Sequence, residues 1–487
     1  MEQAVPLLHE TYLDNVPETY PHPLPDDLSI PTRRQLRPEQ WKWIQFKHML
    51  KSCLSGLLPT YMHRRETAGR KELHPTAYLD ALRGYAALIV FFYHSFPLPS
   101  IWVFQNLFFF RVLFRGGPGM VAIFFVISGY VLSNRMLVMT HNRDPAKLLD
   151  CLASSTFRRW LRLYGSTGVA TFVAMAFTQL GWFKPHATER KETLHGQLWD
   201  WFNDWLYSSD PFAPLQGWIH GGAFGSRYLY QMWTIPVEYR GSMVVFAFCA
   251  ASCKLSTRSR WIALWTVVLL AYYWRAVYVA EFLAGTFIAD LALLRHPERV
   301  IGKVLPQAET SEKQPTPLPG WWQAHGVASK LGCIIMCTAG LFLLSQPDDP
   351  DTNPEIPSPW PSLLRLVPSW YGDAMYTFWV SIGAMLLVLA LDNYPALQVP
   401  FNWSFSQYLG DLSFGIYCMH IIVLESLFKP ILNPWREKTL GQGYLACFAI
   451  EAVATIGVLW MADQFTRADK MVVRSGRWLQ RRTFQKW

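Results

Sequence analysis

Charged residues are scarce in this chain. Only 16% of its 487 residues are Asp, Glu, Lys or Arg, where an average soluble domain has about 25%, and 51% are apolar. That deficit argues against the string of water-soluble domains that length alone would suggest. No nucleotide-binding loop is present, and no internal repeat, which counts against a secondary transporter built from duplicated halves. The cysteines lack zinc-site spacing. Cys249 with Cys253 and Cys333 with Cys337 sit four apart inside apolar runs, as packing residues one helical turn apart do, so no metal is expected. No basic-then-apolar-then-small stretch opens the chain, so no cleaved signal peptide is predicted. The net charge is +9, but the cations lie in short clusters beside apolar segments with no stacking platform, which excludes nucleic acid as a partner.

What the chain has is apolar length. Runs near the roughly 20 residues that a bilayer demands occur at about 79–99, 119–139, 165–183, 236–253, 259–275, 277–294, 330–345, 372–391, 408–428 and 442–461. The 23 tryptophans, 21 tyrosines and 31 phenylalanines suit helix ends at the headgroup level. The expected fold is therefore an all-α integral membrane protein with about ten transmembrane helices in one bundle over residues 75–465. Before it, residues 1–70 form a cytosolic segment, polar and proline-rich at first and partly disordered. Within that segment, aromatic and basic residues alternate over 41–61 as in a helix lying in the membrane interface, the alternative being a loosely packed linker. Residues 466–487 form a basic cytosolic tail.

Charge sets the orientation. Placing Arg64, Arg65, Arg70 and Lys71 in the cytosol puts there also Lys147, Arg158, Arg159 and Arg162, then Lys254, Arg258 and Arg260, then Arg295, Arg299, Lys303 and Lys313, and the tail. Both termini are then cytosolic, in the endoplasmic reticulum or another endomembrane. On the opposite side, loop 346–371 carries four carboxylates and one arginine, while 392–407 has no lysine or arginine at all. The 184–235 connection, rich in Trp, Gly and His, has the length and aromatic content of a lid. The proline-rich stretch 305–320 reads as a linker.

Ionisable groups inside spans are functional candidates by default. The first span holds Asp80, Arg83 and His94. Arg83 and His94 are eleven residues apart, about three turns plus 20°, and so share a helix face some 16 Å apart along the axis. His94, as a histidine with an unperturbed pKa near neutral, is a candidate general base, and Arg83 a partner for phosphate or developing negative charge. The competing reading has Arg83 snorkelling to the surface and His94 bonded to a neighbouring helix. Asp80 is read as structural. Arg158, Arg159 and Arg162 share one helical surface at the cytosolic edge and suit either the phosphates of an anionic cofactor or topology alone. Glu238 and Arg240 follow a proline that frees backbone groups, where a carboxylate would suit an acceptor hydroxyl or a catalytic histidine. His420 lies near mid-depth in the ninth span, with helix packing as the alternative. Glu281, Asp290, Glu425 and Glu451 receive no role. His195 and Asp200 match a His-x4-Asp acyltransferase pattern, but no companion phosphate-binding motif follows, and the match is set aside.

Five segments together resemble the membrane acyltransferase-3 family. They are Leu79 to His94, whose Arg83 and His94 form an Arg-x10-His signature; Gly119 to Ser133; the basic helix from Phe157 to Tyr164; Trp233 to Glu238; and Leu409 to His420. The wording resembles fungal members that O-acylate secondary metabolites. The resemblance implies a ten-helix bundle, a coenzyme A thioester, usually acetyl-CoA, as co-substrate with no permanently bound cofactor, and a small-molecule hydroxyl as acceptor. It assigns catalysis to His94, Arg83 and Glu238, donor contacts to Arg158, Arg159 and Arg162, and substrate contacts to His420 and Trp233. Two departures bear on acceptor geometry: Gly165 follows Tyr164 without the proline common in relatives, and Gln231 stands where bacterial members often have histidine. The rival reading is a transporter or channel that uses the same buried polar residues as a path.

Overall fold

The computed structural model describes residues 58–61, 73–96, 103, 106–211, 225–297, 327–347 and 356–484. The interfacial helix expected over 41–61 falls outside them except for its last four residues, as do the 305–320 linker and part of the 184–235 connection. Among the described residues there is helix and no strand, and the helical bundle begins at Thr76.

Helices occur at all ten predicted spans. They are α1 (Ala77–Ser95), then, after the short α2 (Phe108–Arg115), α3 (Gly117–His141), α4 (Pro145–Trp160) running through a π turn at Leu161–Gly165 into α5 (Ser166–Gln179), and the connecting α6 (Leu194–Ser208). Beyond these come α7 (Thr234–Ser252), α8 (Thr257–Tyr273), α9 (Val277–Arg295), α10 (Val327–Leu344), α11 (Met375–Asn393), α12 (Ser404–Asp411), α13 (Ser413–Val423) with a π turn at Leu424–Leu432, and α14 (Tyr444–Thr483). Five helices are long and apolar enough to cross a membrane by composition alone: α3, α9, α11, the α13 helix continued to Thr439, and α14. The protein is an all-α, multi-pass membrane protein.

Apolar faces hold such a bundle together only weakly in lipid, because the surrounding tails are as apolar as leucine; close backbone approach does more. This chain achieves it with reciprocal glycines. A Cβ on Gly129 would overlap the carbonyl oxygen of Phe282, and one on Gly285 that of Val126, so α3 and α9 meet backbone to backbone. Gly340 and Gly383 do the same for α10 and α11, each Cβ falling 2.9 Å from the other's carbonyl oxygen, and Gly84 and Gly410 for α1 and α12. Polar cross-links add register. Asp290 of α9 accepts from Arg260 Nε and Nη2, both 2.9 Å away, from Trp261 Nε1 at 2.8 Å, and is paired with His141 Nε2 at 2.8 Å. Arg260, expected as a topology charge, is thus turned into the protein, only 3% exposed.

Helix α14 runs 40 residues without a break and carries the tail with it, antiparallel to α4: Ser166 donates to Asp469, Gln480 Nε2 donates to Ser154 Oγ at 2.9 Å, and Phe484 packs on Phe157 with ring centroids 5.1 Å apart. At its own start, α4 is capped by Asp144, which accepts from Lys147 N at 3.1 Å, with Pro145 in the first turn, where its missing N–H costs nothing.

Candidate active site

Helix α1 carries Arg83 near its middle and His94 in its last turn. The half-buried His94 stacks on His420, with ring centroids 5.5 Å apart and planes 22° from parallel, and meets Tyr230 edge-on at 5.9 Å. His420 is fully buried. Its Nδ1 bonds not to another helix but to its own, lying 2.8 Å from Tyr417 O and 3.1 Å from Ile416 O. Carbonyls only accept, so Nδ1 carries the proton in neutral His420, and the lone pair is on Nε2, which is buried with no hydrogen-bond partner. The fixed tautomer is what a proton acceptor or an acceptor-hydroxyl contact needs.

A 3-10 turn, Tyr230–Trp233, closes the site against α13. Tyr417 OH donates to Gln231 O and lies 2.7 Å from Thr234 Oγ1, while Gln231 Nε2 reaches Cys418 O. Trp233, half-buried, ends the turn. Tyr230 also meets His186, with centroids 5.8 Å apart, which joins the 184–235 connection to the histidine pair. Neither Tyr230 nor His186 is marked by helical spacing or by a motif; the aromatic richness of that connection was the available signal. Ser95, next to His94, donates to the buried Glu451 of α14, whose Oε2 has no partner.

The other cluster surrounds Arg83. Its guanidinium lies 5.9 Å from the Phe124 ring centroid, its Nε is buried without an acceptor, and it sits in the fields of Asp80, Glu238, Arg162 and Arg159. Glu238 and Arg159 are joined: Arg159 Nη2 donates to Glu238 and its Nε to Ser242 Oγ at 2.8 Å. Arg159, 7% exposed, therefore faces inward, while Arg158 and Arg162 stay part-exposed. The π turn at Leu161–Gly165 widens the helix where Arg162 sits, and the Tyr164 carbonyl accepts from Trp205 Nε1 of α6 at 2.8 Å. Arg240 donates from Nε to Pro211 O at 3.0 Å.

Helix α6 is fastened by charge to residues 226–228. Asp204 accepts from Arg227 N at 3.0 Å, Arg227 Nε at 3.1 Å and Ser226 Oγ; Asp200 accepts from Tyr228 OH at 2.8 Å and Thr188 Oγ1 at 3.1 Å and pairs with Arg227 and Lys191. Asp200 is thus a structural fastener, and His195 is exposed, so the His-x4-Asp match brings no reactive pair together. Burial works to raise the Asp200 carboxyl, but the Tyr228 hydroxyl, Arg227, Thr188 and Lys191 together hold it below its ordinary value. A depressed carboxylate stabilises the fold above its unfolded value, near 3.9, and that contribution is lost as pH falls through the depressed value. Accordingly, hydrogen exchange at residues 225–230 is expected to accelerate only in acid below about pH 4. Asp204→Ala, which leaves two N–H donors of Arg227 unpaired at an expected cost of ~1–3 kcal/mol, is expected to produce that acceleration already at pH 7.

Imidazole and basic groups thus form two clusters along α1, one where His94 meets His420 of α13 and one where Arg83 lies near Glu238 of α7, within a multi-span bundle. The chain belongs to the acyltransferase-3 family, whose acyltransferase domain matches residues 76–462. It is 32% identical over 426 residues to the O-acetyltransferase PaAT-1 of Phomopsis amygdali, covering 81% of this chain and 79% of that protein. It is 25% identical over 456 residues to the acyltransferase R4 of a Phoma species, covering 80% and 92%, and 23% identical over 447 residues to the acyltransferase clz18 of Cochliobolus lunatus, covering 81% and 92%. No solved structure matches the chain significantly. The protein is an acyltransferase.

Proposed function

We propose that the protein moves an acyl group, acetyl by preference, from a coenzyme A thioester to a hydroxyl of a small secondary metabolite. The observation that carries this reading is the His94–His420 stack, one imidazole of fixed tautomer beside another at the inner end of α1, with Arg83 three turns away toward the basic cluster. The PaAT-1 relative, an O-acetyltransferase, supports acetyl as the group. The thioester enters from the cytosolic side, its phosphates meet Arg158 and Arg162, and its pantetheine passes Arg83 toward His94. Arg159 and Glu238 act from behind by holding α4 against α7. His94 takes the acceptor hydroxyl proton as the oxygen attacks the thioester carbonyl; the C–S bond then breaks and the thiolate leaves. His420 and Trp233 border the acceptor. Both termini face the cytosol, in an endomembrane such as the endoplasmic reticulum.

The transport reading uses the same residues, and one assay separates the two. Purified protein given acetyl-CoA and a pool of hydroxylated metabolites is expected to release free thiol only when both are present. Substrate flux across proteoliposomes with no thiol release would support a transporter instead.

A further inference from the structure

The second half of α14 and the α4 helix form an antiparallel pair with one strongly basic side. At about 100° per residue, Lys470, Arg474, Arg477 and Arg481 fall within a sector of roughly 60°, in a stripe some 17 Å long, with Arg467, paired to Asp463, at its inner end. Between Lys470 and Thr483 the helix has no carboxylate, and neither has α4 from Cys151 onward. On α14, Arg477 and Arg481 each follow a residue of the α4 interface: Gly476, against Leu161, and Gln480, bonded to Ser154. On α4 Arg158 follows Phe157, which packs on Phe484, and in the π turn that continues it Arg162 follows Leu161. Two right-handed helices running antiparallel both turn toward the same side of the pair one residue past their contact line. The α14 stripe and Arg158 with Arg162 therefore share one face. Arg162 in turn lies in the fields of Asp80 and Arg83, so the basic face continues into the bundle.

We propose that this face seats the nucleotide half of the donor, the diphosphate and 3′-phosphate of the coenzyme A thioester, with Arg474, Arg477 and Arg481 of α14 as its outer contacts. The inference rests on the acyl-CoA reading and extends it to a helix segment outside the family-matched residues 76–462. Clustered phosphates are the recognised chemistry, and an anionic lipid headgroup shares it. The stripe favours the nucleotide because it leads along Arg162 to Arg83, the route the pantetheine must take, and because it is longer than a single headgroup requires.

The test titrates coenzyme A, 3′-dephospho-coenzyme A and pantetheine against full-length protein in nanodiscs, wild type and Arg474→Glu/Arg481→Glu. Both positions are exposed, and the milder Arg474→Gln/Arg481→Gln is measured beside it. The expected result is a Kd for coenzyme A raised tenfold or more by the Glu pair and less by the Gln pair. Pantetheine binding stays unchanged, and the wild-type preference for coenzyme A over its dephospho form disappears. An unchanged Kd for coenzyme A would overturn the proposal, and an accompanying loss of affinity for phosphatidylserine vesicles would assign the stripe to lipid. Equal wild-type affinity for all three probes would overturn the stripe while leaving the donor reading intact. Wild-type protein that binds none of them would remove the donor reading itself.

Discussion

Replacing His94 with alanine is expected to lower acyl transfer by about 10²–10⁴-fold, the contribution of a positioned general base. The loss should fall on kcat and leave the affinity for coenzyme A within a factor of about two, because the proposed phosphate contacts lie on α4, the π turn and α14, beyond Arg83, which is itself three turns from His94. A purely structural role predicts otherwise. His94 is half-buried at the last turn of its helix, and its ring touches Tyr93, Tyr230 and His420. His94→Phe would keep that packing but cannot accept a proton. If packing were its role, His94→Phe would restore transfer that His94→Ala loses; with His94 as the base, both variants are equally inactive while melting near the wild-type temperature.

The largest effect on stability is expected at the α3–α9 crossing. Gly285→Leu must push its side chain into the backbone of Val126 and Tyr130, atoms that cannot swing aside as a flexible side chain can. Overpacking costs typically 1–3 kcal/mol where side chains can adjust; with backbone as the obstacle the helices must part, and a loss of at least ~3 kcal/mol, seen as poor yield and early thermal unfolding, is expected. Gly332→Ala supplies the control. It also lies within a helix, α10, but an added Cβ there meets nothing within 4 Å. That change is expected to be neutral or to stabilise by up to ~1 kcal/mol through the helix preference for alanine.

The contrast between these two glycines marks what the sequence could carry. Span positions were legible because the bilayer imposes a length on apolar runs, and the shared face of Arg83 and His94 followed from helical geometry alone. Which glycine faces a neighbour depends on rotation about each helix axis, and hydropathy is silent on that. The same gap explains Arg260 and Arg159. As lone cations near span ends they suit topology, yet their carboxylate partners, Asp290 and Glu238, come from other helices that only the packing brings near. Hydropathy also marks lipid contact and not helicity, so it ended the last span near residue 461 although the helix runs to Thr483. His420 was legible as a motif residue; its place against His94 and its tautomer were not, since both depend on how α13 is set against α1.

The most direct test of acyl transfer at this site follows a single atom group. Isotope-labelled acetyl-CoA is incubated with nanodisc-embedded protein and a metabolite pool, and products are read by mass spectrometry for wild type and His94→Ala. Label is expected in an ester of a hydroxylated metabolite, with one free thiol released per ester formed, in the wild type alone. Label confined to acetyl-CoA in the wild type, or ester formed at equal rate by His94→Ala, would contradict acyl transfer with His94 as its base.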